Sequence, residues 1–170
     1  MKKAFTLIEL ILVVGLVTVM TSASLTGFVN YNRRQVVVAS TEALKQAHRL
    51  ARANVIAGKV DCAVCESGVG DDNTCNGVGG VESPVTYWRV GTAVVGGVWQ
   101  VITNGVCSTS VFMQKTQIFN PSIQIIQSCA NVQYLSNGTS NAPVAGCNYT
   151  VSWLGSFPQS FSVTRSGLVD

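Results

Sequence analysis

Six cysteines, one histidine and one acid set into an apolar run are the groups in this 170-residue chain with chemistry to offer. Cys62-x2-Cys65 followed by Cys75 could supply three zinc thiolates. No histidine is near them in sequence, however, and Cys107, Cys129 and Cys147 provide bonding partners. Disulfides are the stronger reading, and the spacing leaves their connectivity open. His48 sits among Gln46 and Arg49 and reads as a solvated surface residue. Asp71-Asp72-Asn73 could offer oxygens to calcium, but no EF-hand pattern surrounds them, so a polar turn is expected. No nucleophile elbow, zinc-protease helix or P-loop occurs. We expect no catalytic residue, no cofactor and no metal. Trp88, Trp99 and Trp153 fall in strand-like runs, where packing is the default; one left exposed would be a contact residue.

Glu9 needs another explanation. It lies in "FTLIELILVVGLV", near the start of an almost wholly apolar stretch over residues 5–28. A helix of about 20 residues crosses the roughly 30 Å hydrocarbon core of a bilayer, and this stretch is long enough. Lys2 and Lys3 before it place the N-terminus in the cytoplasm by the positive-inside rule. An acid within a membrane segment is a functional feature by default, and its partner must be named.

The elements that must carry these groups follow from the pattern. Helix formers continue through "ASTEALKQAHRLARANVIAG" with no proline. Leu44, Ala47, Ala51 and Val55 form one apolar stripe at three- and four-residue steps, and Gly58 is a natural C-cap. One helix from about Phe5 to about Ala57 results, apolar over 5–28 and amphipathic over 29–58. Residues 59–82 read as loop. Beyond it, strand-like runs cover 85–90, 94–103, 110–119, 123–128, 132–135, 148–153 and 160–163, with turns at "TNG", "SNG" and "VAGCN". One long helix followed by strands is an α+β arrangement, with an antiparallel sheet covering the helix stripe. Hydrophobic residues make up 47%, charged ones 11%, and the net charge is +3. No basic patch interleaved with aromatics is visible, so nucleic acid is not supported as a partner.

"KKAFTLIEL" resembles the leader and mature N-terminus of type IV pilins and type II secretion pseudopilins. In that family a short basic leader ends in a small residue, followed by Phe-Thr-Leu-Ile-Glu and an apolar run. The resemblance implies a leader of residues 1–4, cleavage by prepilin peptidase between Ala4 and Phe5, and N-methylation of Phe5. Ala4 stands where the family usually has glycine. The match is specific over the first 30 residues or so. "EALKQAHRLARANVIAGK" and the ending "FSVTRSGLVD" are more loosely similar to H-type pseudopilins and FimT-like minor pilins. The implied fold is the pilin fold, with residues 59–170 as a cysteine-containing β region.

That resemblance gives Glu9 a partner. Cleavage would create an α-ammonium at Phe5 that Glu9 of a neighbouring subunit can meet, setting register in a filament. The loss of two leader lysines would take the net charge from +3 to +1. The implied protein is a single-pass membrane precursor with its globular part outside, later a filament subunit for secretion, DNA uptake or adhesion. Its partners would be prepilin peptidase, other subunits, the assembly platform and the bilayer. The rival is a disulfide-bonded binding domain that does not polymerise. It would be either anchored by the apolar stretch or secreted after cleavage at "TSA" before Ser24.

Overall fold

The computed structural model describes residues 6–59, 85–107 and 110–170, without the side chains of residues 22–26, 85, 110, 113 and 114. Ala4, Phe5, Cys62, Cys65, Cys75 and the Asp71-Asp72-Asn73 run lie outside the described residues. The fold is α+β: an N-terminal helix followed by antiparallel sheets.

Helix α1 spans Leu7–Ile56. Its end is chemically specified. Gly58 takes φ +61°, its N–H donates to Val55 C=O at 3.1 Å, and Lys59 N–H donates to Asn54 C=O at 2.9 Å. This is the Schellman closure that glycine permits at no steric cost. The chain divides into two compact units, residues 1–36 and 37–170.

Among the described residues of the second unit seven strands follow α1: β1 Val85–Val95, β2 Val98–Cys107, β3 Ser110–Ile118, β4 Ile123–Gln127, β5 Asn131–Tyr134, β6 Cys147–Trp153 and β7 Ser156–Val163. They form two sheets, in orders β3-β2-β1-β5 and β4-β6-β7, where the pattern suggested one. Strand periodicity fixes which face is buried but not which neighbour is paired, so the division was not readable from it.

Two boundaries differ from expectation for definite reasons. "TNG" is not a turn: Thr103, Asn104 and Gly105 lie within β2. A Cβ on Gly105 would overlap the Phe112 ring, so the glycine serves close approach between β2 and β3 at a register shift. The turn falls instead at Gly96-Gly97, with φ of +60° and +79°, the backbone a two-residue hairpin needs. β7 starts at Ser156 rather than Ser160 and contains Pro158, tolerated because β7 is an edge strand.

The core forms where the helix stripe meets both sheets. Val37, Thr41, Leu44, His48, Ala51 and Val55 are buried, recurring at alternating steps of four and three. Thr41 is accommodated because its hydroxyl donates to Val37 C=O at 2.8 Å. Val90, Val101, Val132 and Tyr134 of the four-stranded sheet and Ile123, Ile125, Tyr149, Val151, Phe161 and Val163 of the other are also buried. Thr92 Oγ1 donates to Gln127 Oε1 at 2.6 Å, tying β1 to β4. Ser140 bridges Tyr134, its N–H donates to Arg165 C=O at 2.9 Å, and its hydroxyl donates to Thr164 C=O at 2.8 Å. It therefore links β5 to the segment after β7. Cys129 and Cys147 form a disulfide with Cα atoms 5.8 Å apart. Cys107 is also disulfide-bonded.

Candidate functional site: the apolar helical arm and the buried histidine

The first unit contributes the N-terminal part of α1, an arm of apolar side chains with one acid. Thr6 precedes the helix, and its C=O accepts from Glu9 N–H at 3.1 Å and from Leu10 N–H at 3.2 Å. Thr6 is thus the N-cap and Glu9 the third helical position, the Thr-x-x-Glu spacing of a capping box. That spacing was legible in "TLIE", and among the described residues only the backbone bonds to Thr6 C=O accompany it. A carboxylate in the first turn also faces the positive end of the helix dipole.

Beyond Glu9 the arm is apolar on every side. From Leu7 to Met20 the large apolar side chains are exposed by between 52% (Val13 and Leu16) and 76% (Leu7). The hydroxyls among them are satisfied inside the helix: Thr18 donates to Gly15 C=O at 2.8 Å and Thr21 to Val17 C=O at 2.9 Å. A helix that is apolar all round belongs in lipid or among other helices, and internal hydroxyl bonding is what such surroundings require. Among the described residues no helix is long and apolar enough to cross a membrane. The run that the sequence offers as a span includes residues 22–26, whose side chains are outside the described set.

His48 is not the surface residue its neighbours suggested. It is fully buried, in the middle of the helix stripe. The stripe runs through His48 rather than Ala47, which is only half-buried. Its Nδ1 lies 2.9 Å from Tyr134 Oη on β5. Its ring centroid lies 5.0 Å from that of Tyr149 on β6 and 6.1 Å from that of Phe161 on β7. Tyr149 stacks on Phe161 at 4.9 Å. One imidazole thus touches both sheets. His48 Nε2 and Tyr149 Oη have no hydrogen-bond partner among the described residues. Burial penalises the imidazolium and pushes the His48 pKa down to about 3. Burial likewise raises both tyrosines, with the nearby Tyr149 adding to the effect at Tyr134 and Arg52 opposing it. A neutral imidazole enclosed by aromatic rings has no access to substrate, so the cluster is a structural joint.

Among the described residues no group of three or more His, Cys, Asp or Glu could hold a metal. The expected site residues fall in different units. Glu9 lies in the first unit and the Cys129–Cys147 disulfide in the second. No protein-family model, curated protein or solved structure matches this chain.

Proposed function

We propose that this chain is a type IV pilin-like filament subunit, made as a membrane precursor and assembled through its N-terminal helix. The observation that carries the reading is the arm: apolar on every side, exposed from Leu7 to Met20, and bearing Glu9 in its first turn. Such a surface needs lipid or other helices around it. The leader-like residues before it supply the means of moving from one to the other. Removing residues 1–4 would expose a cation at Phe5, and Glu9 of an adjacent copy would bind it. The disulfide-bonded β region would face outward, and the subunit would have no catalysis of its own.

The experiment is the intact mass of the mature chain recovered from the cell surface. A chain starting at N-methylated Phe5 supports the reading. A start at Met1 overturns it and leaves an anchored domain, and a start at Ser24 leaves a secreted one.

A further inference from the structure

One end of the β region carries a second apolar surface, far in sequence from the arm. At the β1–β2 hairpin tip, Val94 and Val95 are 53% and 54% exposed beside the Gly96-Gly97 turn. Ile118, at the end of β3, is 66% exposed and pairs with Gln100. Leu154, in the β6–β7 turn, is 63% exposed. Backbone bonds place these tips at the same end: Phe119 N–H donates to Trp99 C=O and Leu154 N–H to Ser122 C=O, both at 3.0 Å.

That end can be oriented within the second unit. Phe161 of β7 lies against His48 and Lys45 of α1, while Gly167, further along the chain, lies against Arg52. β7 therefore advances in the same sense as α1. Its start, the Leu154 turn, is on the Val37 side of the helix segment within this unit.

Three features define what this end fits. It is apolar at the tips, and Trp99 and Trp153, each half-buried, stand immediately behind them. Between Arg89 and Arg165 the sequence has one charged residue, Lys115, which faces Ala47, Arg49 and Leu50 of the helix across a groove. Leu154 itself occupies a left-handed conformation, φ +45°, ahead of Gly155 at φ +80°. Asparagine suits that position and leucine does not. An apolar side chain kept there against local preference points to a role outside the fold. Apolar tips backed by tryptophans, with no charge among them, match the layering of a membrane interface, where aromatic rings sit at headgroup level and aliphatic groups reach below.

We infer that this end of the β region rests on a lipid bilayer, with Val94, Val95, Ile118 and Leu154 dipping into it and Trp99 and Trp153 at the headgroups. The inference uses the proposed placement of the helical arm in a membrane and adds a second contact. Before assembly the β region would be held against the membrane, and extraction into a filament would have to break that contact.

Trp88, Trp99 and Trp153 are the three tryptophans of the chain, and Trp88 is buried in the core, so fluorescence reads this end directly. The full chain is reconstituted into phosphatidylcholine vesicles brominated near the headgroup. Quenching is expected, and it should fall in Trp99→Phe and again in Trp153→Phe. Leu154→Asn, which suits its turn better than leucine, should lose quenching while remaining folded, as should Val94→Thr combined with Val95→Thr. Vesicle-bound protein whose Trp99 and Trp153 stay unquenched overturns the inference and leaves the filament reading intact. Quenching of these residues that vanishes on dilution with excess lipid also overturns it, because another copy would then cover the surface. Failure of the chain to float with vesicles at all would count against the arm and the filament reading as well.

Discussion

His48 Nδ1 and Tyr134 Oη lie 2.9 Å apart, joining the helix to the four-stranded sheet through a buried polar contact. Tyr149, 5.0 Å away between ring centroids, brings the other sheet to the same imidazole. The contact works with a neutral ring, and among the described residues the titratable and charged groups around it offer no carboxylate: Tyr134 on β5, Tyr149 on β6, and Lys45 and Arg52 on α1 itself. A proton added to His48 has no counter-charge among the described residues.

Stability should therefore fall with acid. The folded pKa of about 3 lies below the ordinary 6.5, so the unfolded chain binds the proton first. The contribution of His48 is fully present above pH 6.5 and is lost as pH falls toward 3. The slope is about 1.4 kcal/mol per pH unit, or roughly 2 kcal/mol by pH 5. Denaturant melts from pH 8 to pH 4 should show this slope in the native chain and a flatter one in His48→Gln.

The two tyrosines should respond differently. Tyr134→Phe strips His48 of its partner and leaves a buried ring nitrogen unpaired, which costs about 1–3 kcal/mol. Tyr149→Phe removes a buried hydroxyl that has no partner among the described residues. It should be neutral or stabilising by up to about 1 kcal/mol. Equal losses in both variants, measured by urea unfolding, would contradict this account of the joint.

These residues also mark where sequence reasoning stopped. The long helix, its Gly58 cap and the α+β order were legible because apolar periodicity and capping are local signals. The burial of His48 was not, since it depends on Tyr134 and Tyr149, distant in sequence and on different sheets. Thr103-Asn104-Gly105 carries turn composition, yet Gly105 is there to admit the Phe112 ring, which no local pattern announces. Glu9 was visible as an anomaly, and its place at the third helical position came from the same five residues.

Gly105→Ala tests that close approach. The added methyl would overlap the Phe112 ring, itself buried and set edge-on to Trp88 with centroids 5.5 Å apart. Overpacking there should cost roughly 1–3 kcal/mol. Combining it with Phe112→Leu should recover part of the loss, since contacting residues are not additive. Simple additivity in the double variant would show that the ring is not the obstacle.

Leu154→Asn should raise stability. The residue's φ of +45° costs an ordinary side chain about 1 kcal/mol, and asparagine relieves most of it. A rise in thermal midpoint is the expected readout. An unchanged or lower midpoint would mean that the leucine is held by packing within the fold, and the case for an outward-facing role would weaken.

Glu9 separates two roles that its position allows together. Its Thr-x-x-Glu spacing and its place in the first turn, facing the positive end of the helix dipole, favour the helix start by about 0.3–1 kcal/mol. As a docking acid it would attract the Phe5 ammonium of a neighbour. Glutamine at this position preserves the capping geometry and removes the charge. Glu9→Gln should therefore leave helicity, membrane insertion and leader cleavage unchanged while sharply reducing incorporation into filaments. Glu9→Ala should lose both the local support and incorporation. Glu9→Asp keeps the charge on a shorter arm and should fall between native and glutamine. If Glu9→Gln assembles as well as the native chain while Glu9→Ala does not, the side chain acts through its size and polarity rather than its charge, and the attraction between subunits must come from elsewhere along the apolar arm.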